Sequence, residues 1–149
     1  MDQTFPIRAM ASHWKHAPIK KPAKAPWDAE ISGTDLASLL LGSVPSQMED
    51  KWFCFADDAD SHGNILVHLV RSWSGAEIIV LRVRAALDGT GLVNERAPAK
   101  VTEITWEDDS REEDRGEAWA KQRAEMVCRG ILQCELAAPK SRACQLKGS

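Results

Sequence analysis

The stretch ILVHLVRSWSGAEIIVLRVR, Ile65 to Arg84, decides the fold. Ile65–Val70 and Glu77–Arg84 are rich in β-branched residues and leucine, and Ser72-Trp73-Ser74-Gly75 between them is turn chemistry. Two strands joined so closely form an antiparallel hairpin. Working outward, Lys51-Trp-Phe-Cys-Phe-Ala56 is a further strand, separated from Ile65 by the polar cluster Asp57–Asn64. After the Gly-rich loop Asp88–Gly91, Ala99–Trp106 makes a fourth strand. The pattern is a meander of about four antiparallel strands.

Helical periods flank the meander. TDLASLLLG, residues 34–42, is a short helix with Ser32 or Thr34 as N-cap, Asp35 in its first turn and Gly42 as its stop. Beyond the sheet, Ala120, Ala124, Val127, Ile131, Cys134 and Ala138 recur at spacings of four and three, with Cys128 and Leu132 widening the stripe. The expected helix runs over 112–138, about 40 Å long at ~1.5 Å per residue. Glu112, Glu113 and Asp114 suit its N-terminal dipole, and Pro139 stops it. The fold class is α+β, with a small antiparallel sheet packed against one long C-terminal helix.

Residues 1–26 differ from the rest. They hold Arg8, Lys15, Lys20, Lys21 and Lys24 against Asp2, and Pro6, Pro18, Pro22 and Pro26 exclude a helix or a central strand. The expected organisation is a basic, extended arm over 1–26, an α+β domain over 27–139 and a flexible tail over 140–149. Phe5, Ile7 and Trp14 can dock the arm onto the domain.

The net charge of −3 in 149 residues gives no bias toward nucleic acid or membrane. The apolar run of a membrane span or a secretory signal is missing from the sequence, so a cytoplasmic, reducing setting is expected. Cys54, Cys128, Cys134 and Cys144 then read as free thiols, the first three on strand and helix patterns.

If the hairpin pairs through the Ser72–Ala76 turn, one face shows Leu66, His68, Val70 and Ser72 beside Ile79, Leu81 and Val83. That face is the expected core against the helix. The other shows Ile65, Val67, Leu69 and Arg71 beside Ile78, Val80, Arg82 and Arg84, and a slip of one residue exchanges the two. The second face is too apolar for plain solvation. It is covered by the arm, or it binds an anionic ligand or an acidic partner over an arginine rim.

The candidate ligand-binding set is Arg71, Ser72, Trp73, Gly75, Arg82 and Arg84. Arg71 can fork onto a phosphate or carboxylate, Trp73 can stack, and the Ser and Gly donors can complete an anion site. The competing structural reading is a hairpin turn in which Trp73 packs and Arg71 pairs with Glu77 or with an acid of the helix. His68 is the one candidate acid–base residue. Ser72 lies four residues from it along a strand, roughly 13 Å, too far for a nucleophile–base pair. Asp58-Ala-Asp60 begins like a calcium loop, but the twelfth residue is Leu69, so calcium is rejected. His13 and His16 stand among prolines and give no metal site, and no cofactor fingerprint occurs.

Lys51-Trp52-Phe53 followed by a His and Arg71-Ser72-Trp73-Ser74-Gly75 resembles an uncharacterised bacterial domain with Lys-Trp-Phe and His-Arg-Ser-Trp-Thr-Gly strand motifs. That domain occurs alone or attached to ADP-ribosylglycohydrolases. The resemblance covers about residues 50–84 and departs where Val70 precedes Arg71 and Ser74 replaces Thr. It implies a link to ADP-ribose or NAD biology. Three functions follow as expectations: a non-enzymatic accessory domain binding an anionic ligand or protein, an antitoxin or immunity-type protein, and an enzyme using His68 and Arg71 on an ADP-ribosyl or nucleotide substrate.

Overall fold

A computed structural model describes residues 9–46, 50–108 and 116–136. Five strands, β1 (Pro22–Ile31), β2 (Trp52–Ala56), β3 (Asn64–Arg71), β4 (Ala76–Arg84) and β5 (Ala99–Glu107), form one antiparallel sheet in the order β1-β5-β4-β3-β2. Helices α1 (Gly33–Leu41) and α2 (Glu117–Gly130) complete the α+β fold.

The four meander strands stand within a residue or two of their expected ends. The fifth is the addition. Prolines do not exclude β1, because it lies at the edge of the sheet and pairs only with β5. A register shift between Pro26 and Ala29 bends it. The boundary expected at residue 26 therefore falls inside a strand.

One core cluster joins Val67 and Leu69 of β3, Ile79, Leu81 and Val83 of β4, and Val101, Ile104 and Trp106 of β5 to both helices. Leu36, Leu39 and Leu40 come from α1, and Ala120, Ala124, Val127 and Cys128 from α2. Ser32 caps α1 by accepting from Asp35 N–H at 3.1 Å. Gly42 closes it with φ +74°, and a Cβ there would stand 2.3 Å from the Cys54 carbonyl oxygen. That close approach lets Ser43 exchange two hydrogen bonds with Cys54 on the outer edge of β2.

Two expectations need correction. The hairpin register is shifted by one, with Ile65 opposite Val83, Val67 opposite Leu81 and Leu69 opposite Ile79. A bulge opposite Leu69/Val70 inserts Ile78 into β4, so counting back from the turn reverses the parity of the strand. Ile65, Val67 and Leu69 thus face the helices, and His68 lies on the other side. The C-terminal helix is also shorter: 14 residues, about 21 Å. It ends at Gly130, where a side chain no longer favours helix. Leu132 N–H reaches back to Val127 and Cys128 carbonyls, Gln133 takes φ +54°, and Leu132 and Cys134 are buried from this irregular segment while Ile131 is exposed. Glu112, Glu113, Asp114, Ala138 and Pro139 lie outside the described residues.

Candidate functional site

The outer face of the sheet is covered at one end by residues 9–21, which cross it as a strap. Ala9 N–H donates to the Leu41 carbonyl near β2, Ala17 exchanges backbone bonds with Gly75 and Glu77 at the β3–β4 turn, and Lys20 and Lys21 N–H groups both donate to the Glu107 carboxylate of β5 at 2.8 Å. Beneath the strap, Phe53, Phe55, Val70 and Ala9 form a second small core with Trp14 packed on it. Trp14 Nε1–H donates to the Ser72 carbonyl at 3.0 Å. The docking expected of Trp14 is present; Phe5 and Ile7 lie outside the described residues.

His68 sits under this strap, not in an open cleft. Its ring stacks on Phe55 with centroids 4.5 Å apart. Nδ1 meets Glu77 Oε2 at 2.5 Å and Nε2 meets Asp57 Oδ2 at 2.9 Å. Glu77, the one buried charged residue among those described, also accepts Ile19 N–H from the strap at 3.4 Å. Burial disfavours the imidazolium, but the hydrogen bonds and charges of Glu77 and Asp57 outweigh it, so His68 titrates above its ordinary value of 6.5. Both ring nitrogens are engaged by carboxylates. This arrangement holds a charged imidazole in place and presents neither nitrogen to a substrate. Glu77 pairs with His68, which removes it as the partner of Arg71, one of the two that the structural reading of the hairpin offered.

The six residues of the candidate ligand set are divided. Arg71 and Trp73 stand together at the turn, with the Arg71 guanidinium 5.7 Å from the Trp73 ring centroid. Trp73 is 70% exposed. Ser72 is committed to structure: its hydroxyl donates to the Asp50 carbonyl at 2.7 Å and its carbonyl accepts Trp14. Gly75 has φ +70°, donates to Arg71 and accepts Ala17; a Cβ there would meet the Lys15 carbonyl at 3.0 Å. Arg82 and Arg84 are exposed on the outer face, Arg82 opposite Glu103 and Arg84 opposite Lys100. Arg71 shares the parity of Val67 and Leu69 and belongs to the helix side. The corrected register therefore separates Arg71 from the other two arginines.

Arg71 gains different neighbours. An open pocket of about 290 Å3 is lined by Lys51, Trp52, Arg71, Trp73 and Arg123. Arg123 arrives from α2, where its guanidinium lies 5.5 Å over the Trp119 ring. Three cations and two indoles converge on one hollow, a composition that suits an anion attached to a flat ring. Lys51 and Trp52 were visible in the strand motif. Arg123 was not, since the rotation of α2 against the sheet decides which of its residues reaches the turn.

The remaining polar clusters serve turns and packing. Asp60 accepts His62 N–H, Asn64 N–H and the Asn64 side chain, and these hydrogen bonds lower its pKa to about 2. Burial pushes the Cys54 and Cys134 thiols up to about 12 and raises Cys128 well above its usual value; all three are free and buried. Cys144 lies outside the described residues. Among the described residues no group of three or more His, Cys, Asp or Glu could hold a metal, and no helix is long and apolar enough to cross a membrane. No protein-family model, curated protein or solved structure matches the chain.

Proposed function

We propose that the chain is an accessory binding domain that takes an anionic, ring-bearing ligand in the hollow between the β3–β4 turn and α2. The observation that carries this reading is the convergence of Lys51, Arg71 and Arg123 on Trp52 and Trp73. Guanidinium groups offer paired donors to a phosphate or carboxylate, and an exposed indole offers a stacking face. The resemblance of residues 50–84 to a domain attached to ADP-ribosylglycohydrolases adds ADP-ribose and NAD to the ligands worth testing first. Three buried free thiols suit a reducing, cytoplasmic setting.

A thermal-shift screen against ADP-ribose, NAD, mononucleotides and inorganic phosphate tests the reading. A ligand at 100 times its dissociation constant stabilises by about 2.7 kcal/mol. The expected result is a shift with a ring-bearing phosphate that is lost in both Arg71→Ala and Arg123→Ala. A shift that survives both substitutions removes the site.

One observation favours a protein partner as a second reading. Tryptophan and arginine dominate binding hot spots, and Trp73 stands exposed beside Arg71. An immunity-type partner would co-purify in stoichiometric amount from native cells and be lost with Trp73→Ser, while the small-molecule screen stays silent.

A further inference from the structure

The opposite end of β3 carries a second, larger hollow of contrary character. It encloses about 700 Å3 between the C-terminal half of α1, the β2–β3 loop and the β4–β5 loop. This is within the size range of small-molecule sites, roughly 300–1,000 Å3. Its aliphatic lining includes Leu40, Leu41, Leu92 and Val93, and its charged lining among the described residues is Asp58 and Glu95. Leu92 is 67% exposed, the largest exposure of any large aliphatic side chain among the described residues.

The loop bearing Leu92 is held in shape. Asp88 accepts Thr90 N–H, the Thr90 hydroxyl and Leu92 N–H, and Asp88 N–H donates to the Leu92 carbonyl at 2.7 Å. Leu92 thus stands out from a closed loop. A ligand filling this hollow removes its apolar surface from water, which supplies the main driving force. Glu95 then sets the sign of the polar end. Glu95 makes no ion pair with any described residue. We propose that this hollow binds a small aliphatic ammonium, its hydrocarbon chain on Leu40, Leu41, Leu92 and Val93 and its charged nitrogen at Glu95.

The site is independent of the anion hollow, so its test does not depend on that reading. The full chain, labelled at Leu and Val methyls, is titrated at low salt with hexylammonium, hexanol and hexanoate. The expected result is movement of the Leu41, Leu92 and Val93 methyl signals with affinity in the order ammonium, alcohol, carboxylate. Glu95→Gln should weaken hexylammonium about two- to fivefold and leave hexanol unchanged, as befits an exposed ion pair. Leu92→Ser, at an exposed position where folding is safe, should weaken both. Equal binding of hexanoate, or an ammonium affinity untouched by Glu95→Gln, overturns the charge assignment. Signals that move elsewhere and leave these methyls still overturn the site.

Discussion

The two faces of the sheet are closed in different ways. The inner face is sealed by two helices through a large cluster of leucine, isoleucine, valine and alanine. The outer face is sealed only at its turn end, by a strap with no regular strand or long helix of its own. The strap compensates with polar attachments: Trp14 to Ser72, Ala17 to Gly75 and Glu77, Ile19 to Glu77, and two amides to Glu107. Apolar area holds the helices, whereas a single aromatic patch and a set of hydrogen bonds hold the strap. A short segment with little apolar surface must satisfy its backbone on the sheet to stay down.

The sharpest way to break this comparison is to hollow out each core in turn. Phe53→Ala under the strap and Leu81→Ala under the helices should each cost about 2–5 kcal/mol by urea unfolding. A far smaller loss for Phe53→Ala would make the outer patch superficial. Next in size is Glu77→Gln, which removes the charge facing the imidazolium and weakens the acceptor of Ile19 N–H. About 2–3 kcal/mol should be lost, with residues 9–21 becoming more open to protease than α2.

The pH response should come from the strap side. His68 is raised above 6.5 in the folded chain. Its stabilisation is therefore complete below the unfolded value and disappears as pH rises through the folded one. Melting temperature should fall across that window above 6.5, and His68→Asn should flatten the decline. The smallest effect is that of Trp14→Phe. It keeps the packing on Phe53 but loses the bond to the Ser72 carbonyl, about 1 kcal/mol, measured as faster amide exchange in the strap and unchanged exchange in α2.

The sequence made the meander legible because strands with period two and turns rich in Ser, Gly, Asp and Asn leave a strong local signal. It made α1 legible through Ser32, Asp35 and Gly42. The strand at Pro22–Ile31 was hidden, because Pro22 and Pro26 are disfavoured everywhere but at an edge, and being at an edge is a property of the whole sheet. The register of the hairpin was hidden by one bulged residue, Ile78. That slip also regrouped the candidate site: Arg71 parted from Arg82 and Arg84 and joined Arg123. The end of α2 was misjudged because Leu132 and Cys134 are buried as a helical stripe would require, although the chain reaches them without helix. Arg71 and Trp73 could be read from the turn itself, whereas Arg123 and the carboxylate pairing of His68 depend on tertiary approach.

The edges of the sheet carry a last consequence. An open five-stranded sheet ordinarily offers two rows of backbone donors and acceptors to any passing chain, and growth by added strands leads toward fibres. Here one border lacks amide hydrogens at Pro22 and Pro26, and the other is occupied by Ser43 across from Cys54. Neither border is an inviting template. Pro22 and Pro26 on one border and the Ser43–Cys54 bridge on the other thus make both poor places for a further strand to add.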